Sequence, residues 1–166
     1  MTVNRIDFGF MAAATDLDRT DFAILQLLTK DAWLSNKQVA ASVGLAPSSC
    51  HERIKSLRAR GVLRGAHAEV NLEAIGFAQE AVLFVQLGKL EAEVVDDFVS
   101  STATVPEVRS VFLVSGRSDL IVDVVVRDMQ HLKEIISKHF NRHDVVLRVE
   151  TSMVFDSRQQ HVMPAP

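Results

Sequence analysis

The stretch LAPSSCHERIKSLRARGVLR, residues 45–64, determines how the first half of the chain is organised. Within it, Cys50, Ile54 and Leu57 recur at the spacing of one helix face, which predicts a helix with a narrow apolar side. Its second half carries basic residues and no acid. Gly61 suits the residue after a helix end, where a positive φ is needed. The stretch therefore predicts a helix that is apolar on one side and basic on the other.

The residues before this helix predict a second helix and a tight turn. Ser35 and Gln38 have the spacing of a capping box, in which two side chains bond to free backbone N–H groups at a helix start. Gly44 ends that second helix, and Pro47 suits the first position of the third. With a first helix before them, the three predicted helices fill residues 17–64 in the order of a helix-turn-helix domain.

The basic side of the third helix has two interpretations, a solvated helix surface or a surface that binds the major groove of DNA. The capping box, the glycine turn and the N-terminal proline favour DNA binding. Lys55, Arg58 and Arg60 are expected to contact phosphates, and residues of the first turns to approach base edges. Arg53 lies nearer the apolar side, where we expect it to pair with an acid of the first helix such as Asp21. The residues expected to face double-stranded DNA are Pro47, Ser48, Ser49, His51, Glu52, Lys55, Arg58 and Arg60.

Composition limits the class of protein. The 166 residues carry a net charge of -3, and that charge is unevenly distributed. Residues 1–75 hold 9 Lys and Arg against 8 Asp and Glu, whereas residues 76–166 hold 9 against 13. The single cysteine, Cys50, excludes an internal disulfide, and its place on the apolar side predicts a buried thiol. No apolar run approaches the roughly 18 residues of a membrane span, so we expect a cytoplasmic protein without a membrane partner.

The second half of the sequence alternates strands and helices. Apolar, β-branched runs predict strands over 79–87, 108–114, 120–126 and 145–155, and helical spacing predicts helices over 91–101 and 129–140. The order βαββαβ predicts a ferredoxin-like sheet of four antiparallel strands with both helices on one face, so the whole chain belongs to the α+β class. The run LIVDVVV is apolar on both sides. We therefore expect a second subunit to cover the open face of the sheet, and predict at least a homodimer.

The predicted hairpin loop SGRSD, residues 115–119, is the best candidate for binding a small molecule. Gly116 allows a close backbone approach, Arg117 suits a carboxylate and Asp119 suits an ammonium group. Those groups are the minimum that an α-amino acid requires. A hairpin turn that contains glycine explains the same residues without any ligand.

Other kinds of site find little support in the sequence. His139 and His143 have a spacing that zinc tolerates on a helix, but no third ligand is evident. The sequence contains no nucleophile turn of the GxSxG kind and no Gly-rich phosphate loop. We therefore expect no catalytic residues, no metal, no cofactor and no enzymatic activity.

Several motifs resemble those of the Lrp/AsnC (feast/famine) transcriptional regulators. The first half carries LDxxDxxIL from Leu17, VGLxPS from Val43 and RIxxLxxxGVLxG from Arg53. The second half carries VPEV from Val105, VSGxxD from Val114, VRDM from Val126 and ETS from Glu150. The likeness extends over roughly residues 17–158, and the motifs occur in the family's order.

This resemblance implies a bacterial or archaeal, nucleoid-associated regulator whose dimers associate further, often into octamers. It also implies that an amino acid binds between dimers and changes assembly or DNA affinity. The effector contacts carried over by position are Ser115, Gly116, Arg117, Asp119, Met129, Thr151 and Ser152. Two residues depart from the pattern: Ser118 replaces a usual aromatic residue, and Trp33 replaces a usual polar one. We expect Trp33 to pack against the arm formed by residues 1–15.

The expected parts of the chain are then five. They are an N-terminal arm at 1–16, a helix-turn-helix (winged-helix-like) domain at 17–64, a connecting strand or hinge at 65–78, a ferredoxin-like effector-binding and oligomerisation domain at 79–158, and a tail at 159–166. Two other functions remain open. One is an ACT-like amino-acid-binding regulatory subunit without a DNA role, and the other is an architectural DNA-binding protein that needs no effector.

Overall fold

The structure, a computed structural model, describes residues 16–88, 91–158, 160 and 163. The arm expected at 1–15 therefore lies outside the described residues. The chain forms two compact units, and the changeover falls between Glu69 and Val70. We call the first the helical unit, and Arg158, Gln160 and Met163 belong to it as well. The second, residues 70–157, is the sheet unit.

Three helices build the helical unit: α1 (Arg19–Lys30), α2 (Asn36–Ser42) and α3 (Pro47–Ala59). Both of the first two begin with a complete capping box, and the box that the sequence predicted at Ser35 and Gln38 is confirmed. In α1 the box joins Asp18 and Asp21. The side chains buried between the helices are Ile24, Leu25, Val39, Ala40, Cys50, Ile54 and Leu57. Met163 packs against the same cluster.

Glycines with positive φ delimit α3, as the sequence predicted. Gly44, in the turn before α3, has a φ of 68°, and Gly61, just past its end, has a φ of 69°. Ala46 occupies the N-cap without a side-chain hydrogen bond, a loss of about 1 kcal/mol relative to a good cap. Pro47 partly offsets that loss because its φ is already helical and it has no N–H to satisfy.

The segment between the units contains no strand. A connecting strand or hinge was expected at 65–78; residues 64–72 form no strand, and a single 3-10 turn follows at Glu73–Ile75. The hinge alternative stays a prediction. A strand needs a neighbour for its N–H and C=O groups. Residues 64–71 are exposed, and the four-stranded sheet of the chain does not include them.

The sheet unit has the βαββαβ order that the sequence predicted. Its elements are β1 (Gln79–Leu87), α4 (Ala92–Thr102), β2 (Val108–Leu113), β3 (Leu120–Val126), α5 (Met129–His139) and β4 (Val146–Val154). The strands lie in the order β2-β3-β1-β4, and all three pairings are antiparallel. This is the ferredoxin-like arrangement, in which two βαβ halves interleave their strands.

The core of the sheet unit lies between the sheet and its two helices. Alternate residues of β1 from Ala81 to Leu87 are buried, as are those of β3 from Leu120 to Val126. They pack with Phe98 of α4 and with Phe140 just after α5. The two phenylalanine rings meet edge to face, with centroids 6.1 Å apart, a favourable geometry for aromatic pairs.

The opposite face of the sheet carries apolar side chains, and none of the described helices covers it. The register places Phe84 of β1, Ile121 of β3 and Phe112 of β2 side by side on this face. Phe112 is 52% exposed. The helices α4 and α5 pack on the other side of the sheet. That a second subunit covers this open face stays a prediction.

An ion cluster lies among these apolar side chains. Arg109 Nη1 is 3.4 Å from Glu80 Oε2, and Arg109 Nε is 3.8 Å from Asp123 Oδ2. The guanidinium of Arg109 thus forms ion pairs with both carboxylates. Burial raises the pKa of Asp123, Glu80 raises it further, and Arg109 opposes the shift. The other carboxylate oxygen, Asp123 Oδ1, is buried without a hydrogen bond.

Asp123→Asn is expected to leave the sheet unit at least as stable at neutral pH. Because the folded pKa is raised, the folded carboxyl holds more proton than the unfolded one above its ordinary value of 3.8. Its contribution to the free energy of unfolding therefore falls as the pH rises through the shifted pKa. Denaturant unfolding at several pH values should show a flatter acid-range profile for the variant. An unchanged profile, equal to that of the exposed control Asp144→Asn, would contradict the assignment.

Within the described residues, no helix has the length and apolar character to cross a membrane.

Candidate DNA-binding surface and effector region

One side of α3 is buried in the helical unit and the other is open. Cys50 and Leu57 are at most 1% exposed, and Ile54 is 9% exposed, which confirms the predicted apolar side. Burial also raises the pKa of the Cys50 thiol, which keeps it in the unreactive protonated form. The eight residues predicted to face DNA are all exposed: Pro47, Ser48, Ser49, His51, Glu52, Lys55, Arg58 and Arg60.

Arg53 joins α3 to the start of α1 through two carboxylates. Its Nη1 is 2.7 Å from Asp18 Oδ2 and 2.8 Å from Asp21 Oδ1, so the predicted pairing with Asp21 is confirmed. The N–H of Asp21 and the guanidinium of Arg53 both lower the pKa of Asp18. The same carboxylates form the capping box of α1. Arg53 is thereby held by the fold, and it leaves the open face of α3 to the other basic residues.

A side-chain hydrogen bond joins the starts of α2 and α3. Asn36 Nδ2 donates a hydrogen bond of 2.7 Å to the carbonyl oxygen of Pro47. The bond holds the first residues of the two helices side by side. This contact was not predicted, because an Asn at a helix start gives no signal of its partner eleven residues away.

Arg60 has a contact within the chain as well as an exposed position. Its Nη2 donates to the carbonyl oxygen of Asp16 at 3.1 Å. Arg60 is also the C-cap residue of α3, at the opposite end from the first turns. It therefore lies farther from Ser48 and His51 than Lys55 does.

The hairpin loop between β2 and β3 is held by hydrogen bonds that the sequence did not indicate. Asp119 Oδ2 accepts a 2.8 Å bond from the N–H of Leu87. Gln86 Nε2 donates a 2.7 Å bond to the carbonyl oxygen of Arg117. Gly116 adopts a φ of 123°, open to glycine and strained for other residues. One oxygen of Asp119 is thus already committed to the fold, whereas the Arg117 side chain is exposed.

The other predicted effector residues do not converge on this loop within one chain. Met129 begins α5, beyond the far end of β3, and the seven residues of that strand span roughly 20 Å. Thr151 pairs with Leu83 on the helix side of the sheet, and the next residue, Ser152, faces the open side. The seven predicted effector residues therefore lie in four places: the hairpin loop, the start of α5, and each of the two faces of β4.

His139 and His143, the pair with zinc-like spacing, have neighbours within the chain that account for their surroundings. His143 stacks edge to face on Phe98 at 4.8 Å between ring centroids. Burial and the nearby Lys138 lower the pKa of His139. Among the residues that the structure describes, no group of three His, Cys, Asp or Glu side chains is placed to hold a metal ion.

Known proteins resemble this chain over both units. The family model of the Lrp/AsnC ligand binding domain matches residues 80–163, and that of winged helix-turn-helix DNA-binding domains matches residues 17–64. The HTH-type transcriptional regulator AldR of Mycolicibacterium smegmatis is 33% identical over 143 residues, covering 86% of this chain and 84% of AldR. The leucine-responsive regulatory protein of Rhizobium meliloti is 29% identical, covering 86% of this chain and 92% of that protein.

A solved structure agrees with the fold. A transcriptional regulator from Neisseria meningitidis, crystallised as a complex with L-Met, superposes with a TM-score of 0.84 at 28% identity. The match covers 89% of this chain and 96% of that one. Both matched domains, their order and the relatives agree with the resemblance drawn from the motifs. The chain belongs to the Lrp/AsnC family of DNA-binding transcriptional regulators.

Proposed function

We propose that the protein regulates transcription by inserting α3 into the major groove and by changing its assembly or DNA affinity when an amino acid binds. The observation that carries the first part is the open side of α3, where Lys55 and Arg58 lie exposed on the side away from Cys50 and Leu57. Ser48, His51 and Glu52 would meet base edges from the first turns of the helix. Lys55 and Arg58 would hold phosphates, with Pro47, Ser49 and Arg60 at the margins.

The effector is proposed to be an amino acid held by the hairpin loop. Arg117 offers a guanidinium for the carboxylate, and its own carbonyl is fixed by Gln86. Asp119 retains one carboxylate oxygen for the ammonium group, since the other accepts from Leu87. The L-Met complex of the Neisseria relative is consistent with this class of ligand.

The complete effector site is proposed to combine residues of more than one subunit. Met129 lies about one strand length from the hairpin loop, so a ligand of amino-acid size cannot touch both within one chain. A ligand could contact both regions if the site combined two copies of the chain. One copy would contribute Ser115, Gly116, Arg117 and Asp119, and the other would contribute Met129. Thr151 and Ser152, on opposite faces of β4, would likewise serve different contacts.

Self-association is proposed to begin with the open face of the sheet. Phe112, Phe84 and Ile121 give that face an apolar surface, which a second copy would cover to make a homodimer. Further association, up to an octamer, would bring the separate effector residues together. The protein would act at the nucleoid, in the cytoplasm, without catalysis, metal or cofactor.

A footprint on the DNA upstream of the protein's own gene tests this function. Protection of two half-sites spaced by about one helical turn is expected from a dimer that carries two α3 helices. Adding an amino-acid mixture should change the protected length or the protein concentration that gives half protection. Protection that no amino acid alters would instead support an architectural protein without an effector.

Arg117→Ala is expected to abolish the response to the effector while DNA binding persists. In a thermal-shift screen of the twenty amino acids, a true effector at about 100 times its Kd should raise the free energy of unfolding by roughly 2.7 kcal/mol. The variant should lose that shift because the carboxylate loses its partner. Arg142→Ala, an equal change of charge at an exposed site just after α5, is the matched control. Loss of the shift in both variants would contradict a specific role for Arg117.

A further inference from the structure

Trp33 is an exposed aromatic side chain next to the proposed DNA surface. It is the only tryptophan of the chain and is 87% exposed. Its backbone N–H donates a 2.9 Å bond to Asp31 Oδ1, which fixes the turn between α1 and α2. The expected packing of Trp33 against residues 1–15 concerns a segment outside the described residues. The exposure of the indole leaves it available to an outside partner.

The hydrogen bond between Asn36 and Pro47 limits how far Trp33 can lie from the start of α3. Trp33 precedes Asn36 by three residues, which is at most about 11 Å of extended chain. Asn36 in turn is bonded to Pro47, the first residue of α3. Trp33 therefore lies within about 11 Å of Asn36, the residue bonded to the start of α3. The first turn of α3 carries Ser48 and His51 of the proposed reading surface.

The geometry of a bound duplex then indicates what Trp33 would meet. When a recognition helix enters the major groove, the preceding helix crosses the sugar-phosphate backbone. The major groove is about 12 Å wide, so residues about 12 Å from the inserted helix lie over the DNA strand that flanks the groove. Trp33 stands immediately before α2, the preceding helix. We propose that Trp33 binds the DNA backbone, with its ring against deoxyribose and its Nε1–H donating to a phosphate. This contact depends on the proposed insertion of α3.

The surroundings of Trp33 fit DNA better than an apolar partner. Asp31, Ser35 and Lys37 are all exposed around it. An interface with another protein would set such an indole within a larger apolar patch. Here one aromatic ring stands among polar groups, and the positive charge of Lys37 is offset by the negative charge of Asp31. An indole combines an apolar face with an N–H donor, which suits the alternating sugars and phosphates of a nucleic-acid strand.

The single tryptophan makes the test site-specific. The full-length protein is titrated with a labelled random-sequence duplex at low salt, and label anisotropy and tryptophan emission are recorded together. Low salt permits non-specific binding, in which backbone contacts supply the affinity. We expect the emission to change in parallel with the anisotropy and the indole to become less accessible to a neutral quencher. Unchanged emission and quenching at saturating duplex would overturn the proposal while leaving α3 binding intact.

Two variants separate a DNA contact from a structural role. Trp33→Ala should weaken binding roughly tenfold, equally for the random duplex and for the DNA upstream of the gene, since backbone contacts carry no sequence information. Trp33→Phe should recover part of that loss by restoring a ring without its N–H donor. Circular dichroism should show the same unfolding midpoint for all three proteins. A loss confined to one DNA sequence, a lowered midpoint, or emission that changes with protein concentration in the absence of DNA would each contradict the proposal.

No anisotropy change for the wild-type protein at low salt would overturn both the Trp33 contact and the proposed insertion of α3. The titration of Lys55→Ala/Arg58→Ala distinguishes the two assignments further. This variant keeps Trp33, so its weakened binding should still end in the same emission change at saturation. A variant that binds DNA without that emission change would overturn the placement of Trp33 beside α3.

Discussion

Lys55→Ala/Arg58→Ala is expected to lower the affinity for duplex DNA by roughly a hundredfold per subunit. A hydrogen bond to a charged group contributes about 1.5 kcal/mol, and two such bonds to phosphates are lost. The slope of log K against log salt should become less steep by about 1.8 per subunit, because two phosphates no longer release counterions. The measurement is duplex anisotropy over a series of salt concentrations.

The matched control for this change is Lys138→Ala/Arg142→Ala. It removes the same charge from exposed positions at the end of α5, in the sheet unit. DNA affinity and its salt slope should remain those of the wild-type protein. Equal losses in the two double variants would show that net charge, rather than the face of α3, governs binding.

Phe98→Ala is expected to destabilise the sheet unit by about 3–5 kcal/mol, the usual cost of removing a large aromatic side chain from a core. Phe98 is 1% exposed and contacts the rings of both Phe140 and His143. The helical unit has a separate core. The denaturant unfolding curve measured by circular dichroism, which detects both units, should therefore shift. Amide hydrogen exchange within α1, α2 and α3, which reports on the helical unit, should change much less.

Phe112→Ala is the matched control for this prediction. The same change at a side chain 52% exposed on the open face removes little buried area from a single chain. It should leave the unfolding of the monomer almost unchanged and weaken the proposed homodimer, which dilution followed by light scattering would detect. A destabilised monomer in Phe112→Ala, or a stable sheet unit in Phe98→Ala, would contradict the assignment of the two faces.

Local patterns predicted much of this fold because the contacts that they specify are local. The capping box at Ser35 and Gln38 involves residues three apart, and the structure contains both of its bonds. The limits of β1 and β3 were predicted correctly, since each is a long apolar run between turn signals. One contact between distant residues was also predicted, the pairing of Arg53 with Asp21, because Arg53 lies near the apolar side of α3, which packs against α1.

The other contacts between distant residues could not be predicted from such patterns. The bond from Leu87 to Asp119 depends on the register of β1 against β3, which no local spacing contains. Without it, Asp119 appeared wholly free to bind a ligand. Residues 66–70 alternate in the manner of a strand, yet a strand requires a neighbour, and the sequence does not say whether one is present.

The distance between the hairpin loop and Met129 has a consequence for how the protein would sense its surroundings. A ligand that needs both must link two copies of the chain, so ligand binding and subunit association would be thermodynamically linked. The half-saturating concentration of the amino acid would then fall as the protein becomes more abundant. Under the proposed site, a cell could tune its sensitivity to the nutrient through the amount of regulator it makes, without altering any residue of the binding site.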